Sequence, residues 1–341
     1  MLETKKRRNT GQITLSDVAK LAGVGTMTVS RALRTPEQVS DKLRKKIESA
    51  VNTLGYKPNI AASLLASASA NNLIVIVINR IFDNGSKIIL DALQSRLTEQ
   101  GYVTLIIESL HYYGREEQLL ESIYNNNLAA IVLFYLEKNS PISRLINNKH
   151  IPTLHIGHEI KESSQTNITV DNMLAMSILT EHVIKKGYRH IGLLCGNHEH
   201  LIFQQRLHGW HKTMLAHHLP THRVINAAKP ANFTTGSQLL ADFILNWPEI
   251  DALICTTDEL ACGVLYECQR RHIRVPYQLA VTGFGDSEFS QVSTPPLTTI
   301  SLPYQQMGEN AAVALLEQLK VETTKDKITL LSPMIKARAS L

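Results

Sequence analysis

From residue 73 onward, short apolar runs alternate with longer stretches in which apolar positions recur every three or four residues. Compact runs rich in Val, Ile and Leu read as strands buried on both faces, and the longer periodic stretches read as amphipathic helices. The pattern predicts strands over 73–78, 103–107, 129–134, 152–156, 190–195, 252–255, 279–283 and 328–335. Helices are predicted over 87–100, 116–126, 172–186, 203–218, 259–271 and 304–319, with Gly101 and Gly187 closing the first and third. Such alternation builds doubly wound parallel sheets, whose ligands bind beyond the strand C-termini and often between two lobes.

The first sixty residues follow another rhythm. Ser16 precedes Asp17, Val18, Ala19, Lys20, Leu21 and Ala22, and Gly23 follows. Ser as cap, Asp in the first turn and Gly as stop make a short helix. After Val24 and Gly25, the residues Val29 and Leu33 fall four apart and face that helix. Thr26, Met27, Thr28, Ser30 and Arg31 are left for another surface. Two short helices joined by a tight glycine-containing turn form a helix-turn-helix. A third helix over 40–54 carries Leu43, Ile47, Val51 and Leu54 as an apolar stripe, with Lys42, Lys45 and Lys46 opposite. Pro58 breaks the pattern, and Asn59 caps a further short helix over 60–66. Small polar residues over 67–72 read as a linker. The expected division is a helical head over 1–57, a hinge helix and linker over 58–72, and an α/β body over 73–341.

Charge sharpens this division. The 341 residues carry 35 Lys and Arg against 30 Asp and Glu, a net +5. Residues 1–70 hold 12 of the former and 5 of the latter, so the whole excess sits in the head. A basic module on a near-neutral body suits a polyanionic partner, of which nucleic acid is the commonest. With 44% hydrophobic and 19% charged residues, wholesale disorder is excluded. No apolar run approaches the roughly 18–20 residues of a membrane span, and no apolar segment follows the basic stretch Lys5–Arg8 as in a secretory signal. The expectation is a cytoplasmic protein without a membrane partner. The four cysteines lack a paired C-x-x-C pattern and read as buried free thiols.

Catalytic and cofactor signals are weak. Eight histidines lie between His190 and His222, including His198-Glu199-His200 and His208-x-x-His211, but the H-E-x-x-H signature is missing and no metal is expected. Gly283-Phe284-Gly285 lacks the third glycine of a dinucleotide loop, so no cofactor is expected. No nucleophile–base pair points to an enzyme.

Several ordered motifs remain. They are Ile13-Thr14-Leu15-Ser16-Asp17-Val18-Ala19, Gly23-Val24, Thr28-Val29-Ser30-Arg31-Ala32-Leu33, Val39-Ser40, Leu54-Gly55-Tyr56-Lys57-Pro58-Asn59 and Ala61 with Leu65. On these the sequence resembles the DNA-binding head of the lactose/galactose-repressor (LacI/GalR) family. The resemblance continues through Val170-Asp171-Asn172, Gly187-Tyr188-Arg189-His190-Ile191, Arg206-Leu207-His208-Gly209-Trp210, Thr257-Asp258-Glu259-Leu260-Ala261-Cys262-Gly263 and Pro296-Leu297-Thr298-Thr299-Ile300. Within the family it is nearest the gluconate/idonate-type regulators, on Met27–Arg31, Pro36-Glu37-Gln38-Val39 and Glu267-Cys268-Gln269-Arg270.

The resemblance implies a periplasmic-binding-protein-like body of two lobes crossed three times by the chain. It implies that Thr26 and Met27 read base edges in the major groove, by a hydroxyl and by contact with thymine methyls. Thr28 and Ser30 would contact phosphates, and Arg31 guanine or phosphate. Asn59 and Leu65 lie on the hinge helix, where the family's leucine wedges into the minor groove; Leu64 is the neighbouring register. In the effector pocket, Arg206 and Asp258 would contact hydroxyls or acids of a small ligand. Asn79, Arg80 and Phe82 follow the first strand, and Phe284 and Asp286 follow the strand ending at Gly283. Arg80 either enters the cleft or pairs with Asp83. The implied function is a ligand-responsive repressor, a homodimer on double-stranded, near-palindromic operator DNA, released by a sugar or sugar acid. The alternative is a sugar-binding sensor without DNA contact. The absence of a heptad tail after the last predicted strand adds to the expectation of a dimer.

Overall fold

The computed structural model describes residues 13–34, 36–56, 72–78, 84–109, 118, 128–135, 151–157, 166–197, 201–227, 230–320 and 328–341. The chain divides into two compact units, Met1–Ser69 and Ala70–Leu341.

The first unit contains α1 (Leu15–Ala22), α2 (Thr26–Arg34) and α3 (Asp41–Leu54). Val18, Ala22, Val29 and Ile47 are buried at its centre, with Leu33, Leu43, Val51 and Leu54 packed around them. The cap of α1 is Thr14 and not Ser16, which lies inside the helix. Asp17 stands three residues after Thr14, and its Oδ2 accepts the Thr14 backbone N–H at 2.9 Å and the Thr14 hydroxyl at 2.7 Å. Gly23 and Gly55 close α1 and α3 in the left-handed conformation.

The second unit opens with β1 (Leu73–Ile78), α4 (Asn84–Glu99), β2 (Val103–Glu108), β3 (Leu128–Phe134), β4 (Thr153–Ile156) and β5 (Thr166–Val170). The chain continues through α5 (Asn172–Lys185), β6 (Ile191–Cys195), α6 (Leu201–Ala216), β7 (Val224–Asn226), α7 (Phe233–Asn246) and β8 (Ala252–Cys255). Then come α8 (Asp258–Arg270), β9 (Ala280–Phe284), α9 (Glu288–Val292), β10 (Thr298–Ser301), α10 (Tyr304–Lys320), β11 (Ile328–Leu331) and β12 (Met334–Lys336). Two six-stranded sheets result, ordered β11-β5-β4-β3-β1-β2 and β12-β10-β9-β8-β6-β7. All pairs are parallel except β12 on β10. Every residue of β1 and β3 is buried, as expected of strands covered on both faces.

The chain passes between the sheets after β5, after β10 and after β11. The single final strand expected over 328–335 is in fact two strands, one in each sheet. Ser332 and Pro333 separate them; proline has no N–H to donate, so the ladder ends there. Strands β5 and β10 were not foreseen because Thr-Asn-Ile-Thr-Val and Thr-Thr-Ile-Ser lack an apolar run, although both are buried. Strand β7 and helices α7 and α9 also went unpredicted; α7 opens on Phe-Thr-Thr-Gly-Ser, which carries turn residues rather than helix formers. The helix expected over 116–126 lies outside the described residues except Gln118. Among the described residues no helix is long and apolar enough to cross a membrane.

Candidate functional site

In the head, α2 turns Val29 and Ala32 inward and leaves Thr26, Met27 and Arg31 exposed, with Thr28 and Ser30 half-buried. Met27 is 76% exposed although it is apolar, so it is not filling the core. Thr26, Met27, Ser30 and Arg31 share one face because residues four apart lie one turn above each other. Lys42, Lys45 and Lys46 of α3 are exposed. Asn59 and Leu65, with the neighbouring Leu64, lie outside the described residues.

In the second unit, three strand ends of the first sheet converge. Tyr135 follows β3, Gly157 follows β4, and Val170 and Asn172 flank the first crossing. Facing them are Ile202 and Arg206 of α6, Leu302 at the second crossing and Met307 of α10. These residues line a small cavity that is open in part to solvent. Gly157 has a φ of +94°, and a Cβ there would lie 2.1 Å from the Tyr135 ring, so only glycine lets that ring stand over the strand end.

Arg206 is 8% exposed. Its Nε donates to Asn172 Oδ1 at 3.1 Å and its Nη1 to the Thr256 carbonyl at 2.6 Å. The guanidinium carbon stands 3.8 Å from the centre of the Phe284 ring, close enough for a cation–π contact. Arg206 is thus held inside the protein rather than solvated at its surface. Close packing of α6 on α5 sets this arrangement: a Cβ at Gly209 would lie 2.2 Å from the Met173 carbonyl oxygen, and the Ser177 hydroxyl donates to the Gly209 carbonyl at 3.1 Å.

Asp258 is 1% exposed and does not line the cavity. Its Oδ1 accepts the Thr299 hydroxyl and its Oδ2 the Ser287 N–H, both at 2.6 Å. Burial pushes its carboxyl above the ordinary value of 3.8, against the opposing pull of these hydrogen bonds. It does not cap α8. Thr257 does, its side chain accepting the Leu260 N–H at 3.2 Å. Asp286, at a φ of +54°, is paired with Arg338 and also lies away from the cavity lining. Phe284 reaches the site through its ring contact with Arg206. Asn79, Arg80, Phe82 and Asp83 lie outside the described residues.

Tyr135, Asn172, Ile202, Leu302 and Met307 escaped sequence reading. Five of the lining positions, Tyr135, Gly157, Val170, Asn172 and Leu302, stand at or within two residues of a strand's C-terminal end, the place where open α/β sheets bind ligands. Applied to the strands predicted over 129–134 and 152–156, that rule points to Tyr135 and Gly157; Asn172 and Leu302 follow β5 and β10, which have no apolar run to reveal them.

The cavity offers a buried cation, an amide and an aromatic ring among apolar walls. Groups of this kind are able to orient a small polar ligand. The four cysteines are free and buried, and burial pushes Cys195 up to about 11 and Cys262 and Cys268 to about 12, which disfavours the thiolate. Among the described residues no three His, Cys, Asp or Glu converge as for a metal ion; His198, Glu199 and His200 lie outside them. His217 is paired with Glu181 at 2.6 Å.

Residues 14–59 match the family model of bacterial regulatory proteins, lacI family, and residues 180–341 match a periplasmic binding protein-like domain. The chain is 30% identical to the HTH-type transcriptional regulator GntR of Escherichia coli K12 over 318 residues, covering 92% of this chain and 94% of the relative. It is 28% identical to the HTH-type transcriptional regulator IdnR of the same organism over 312 residues, 91% and 92% of the two chains. Among solved structures, the lac repressor dimer bound to operator and the anti-inducer ONPF superposes with a TM-score of 0.77 at 24% identity, over 96% of this chain and 99% of the other. The transcription regulator GntR from Chromobacterium violaceum gives 0.72 at 25% identity, over 79% and 98%. With a helix-turn-helix head, a two-sheet sensor body and relatives that match along nearly their whole length, the chain belongs to the lacI family of bacterial regulatory proteins and is a ligand-responsive, DNA-binding transcriptional regulator rather than an enzyme.

Proposed function

We propose that this regulator represses a sugar-acid utilisation operon. It holds a near-palindromic operator as a homodimer and lets go when a gluconate-like acid enters the cavity. The observation that carries this reading is Arg206, a buried guanidinium in the cavity wall where a ligand carboxylate would meet it. A guanidinium clasps a carboxylate with two parallel hydrogen bonds, and the same cavity gives hydroxyls an amide partner at Asn172. The ligand changes DNA affinity only by as much as it prefers the conformation that binds DNA poorly.

Thr26, Met27, Thr28, Ser30 and Arg31 are assigned to the operator, with Asn59 and Leu65 of the hinge segment. Dimerisation is supported by an apolar patch on the second sheet's lobe. Tyr266, Phe289 and Val292 are exposed there, and the Phe233 ring lies 6.4 Å from Tyr266 and 5.1 Å from Phe289. Exposed aromatics grouped in this way mark association surfaces.

The test is a thermal-shift and calorimetric screen of sugar acids beside polyols of equal carbon number, followed by operator gel shifts with each binder. Binding of an acid that also releases operator is expected. Acid binding without any operator retention would make the protein a sensor without DNA contact, and preference for neutral polyols would remove the assigned role of Arg206.

A further inference from the structure

We propose that Arg338 is a positioning residue for self-association: its guanidinium clamps the segment that presents Phe289 and Val292 to a second copy of the chain. The inference rests on the reading of that apolar patch as the dimer surface and concerns what holds the patch in place. Phe289 and Val292 are exposed on α9, a helix of five residues. So short a helix does not hold itself in water, because its few internal bonds do not offset the cost of nucleation. Its cap residue, Ser287, makes no side-chain bond to the first turn. The helix is therefore held from outside.

Arg338 follows the last strand, β12, on a tail that is itself fixed. Its backbone N–H donates to Thr298 Oγ1 at 2.9 Å, and the Thr298 hydroxyl donates to the Arg338 carbonyl at 3.1 Å. Ser340, fully buried, donates its hydroxyl to the Val281 carbonyl at 2.6 Å and accepts the Thr298 N–H at 2.8 Å. From this base Nη2 pairs with Asp286 Oδ1, while Nη1 donates to Ser290 Oγ at 3.1 Å and to the Leu297 carbonyl at 2.8 Å. These partners stand before, within and after α9. Ser290 is fully buried on the inner side of α9, and its hydroxyl donates on to the Ser287 carbonyl at 2.6 Å. A planar fork of N–H groups serves acceptors in several directions at once; a lysine ammonium carries its donors on a single atom.

The experiment compares the full chain as wild type, Arg338→Met, Arg338→Lys and Val292→Asp by sedimentation equilibrium, with melting temperature and hydrogen exchange measured on each. In Arg338→Met the dimer dissociation constant is expected to rise by roughly tenfold or more. Exchange should quicken within residues 286–297 while β8 keeps its wild-type rates. Arg338→Lys should recover only part of the association; full recovery would make charge alone sufficient and overturn the clamp. If Arg338→Met fails to fold, Ser290→Ala decides: it removes one of the three anchors and should raise the dissociation constant by roughly threefold. A wild-type dissociation constant in these variants overturns the inference, and so does weakening accompanied by faster exchange throughout the lobe. In either case dimerisation through the patch stands as long as Val292→Asp dissociates. A monomeric wild type, or a Val292→Asp that stays dimeric, overturns both.

Discussion

At the scale of single residues, position relative to the cavity separates an acidic and a basic candidate that look alike in sequence. Asp258 and Arg206 both follow strand ends of the second lobe, yet Arg206 lines the cavity and Asp258 is spent on Thr299 and Ser287. Asp258 has a carboxyl raised above its unfolded value of 3.8 by burial, so the folded state holds its proton more tightly than the unfolded chain. Its contribution to stability is present below 3.8 and is lost as pH rises through the folded-state value. Asp258→Asn keeps one accepting oxygen for the Ser287 N–H and an NH2 that the Thr299 hydroxyl can accept. The melting temperature of Asp258→Asn minus that of wild type should therefore climb as pH is raised from about 4 towards neutrality; a flat difference across a pH series of scanning calorimetry would contradict this. On the head, Met27→Ala removes an exposed apolar side chain, so stability should move by less than about 0.5 kcal/mol while operator affinity falls by about 1–3 kcal/mol at one base position. Chemical denaturation and gel shifts on single-base operator variants separate the two quantities.

At the scale of elements, the site depends on how closely α6 lies on α5. Gly209 faces the Met173 carbonyl, so a side chain there must push the helices apart. Gly209→Ala is expected to destabilise by about 1–3 kcal/mol and to weaken effector binding, because α6 carries Arg206 away from Asn172. Normal ligand affinity in a measurably destabilised variant would show that the two helices position the cation in some other way. The same scale shows where periodicity failed. Strands β1 and β3 are legible because Ile, Val and Leu fill them, whereas β5 and β10 hide threonines in the sheet by hydrogen bonding them, as Thr298 with Arg338, Thr299 with Asp258 and Thr166 with Gln318. Hydropathy alone does not distinguish a satisfied buried threonine from an exposed one.

At the scale of the whole molecule, charge is divided between head and body. Because operator contacts displace counterions from DNA, affinity should fall by a factor of a hundred or more between about 50 and 200 mM salt. Effector affinity, set inside a cavity, should change far less. Filter binding and calorimetry across one salt series test the pair of expectations, and equal slopes would contradict the division of labour. Val292, 77% exposed beside Phe289, lies on the patch assigned to the dimer. Val292→Asp should shift sedimentation from dimer towards monomer and weaken operator binding without reducing the melting temperature of the monomer; an unchanged sedimentation coefficient would place the interface elsewhere.

Local order along the chain was enough to show a helix-turn-helix with Met27 outward, a basic head and an alternating α/β body, because each depends on neighbours three or four residues apart or on net charge. Contacts across the lobes were not visible in this way. Arg206 and Asn172 are 34 residues apart, and Arg206 and Thr256 are 50 apart. The pairing of Asp258 with Thr299, the division of the last strand between two sheets and the choice of Tyr135 and Asn172 as cavity lining arise from how two sheets and three crossings bring distant strand ends together. Pattern along a chain records which face is buried; it does not record which buried group each side chain meets.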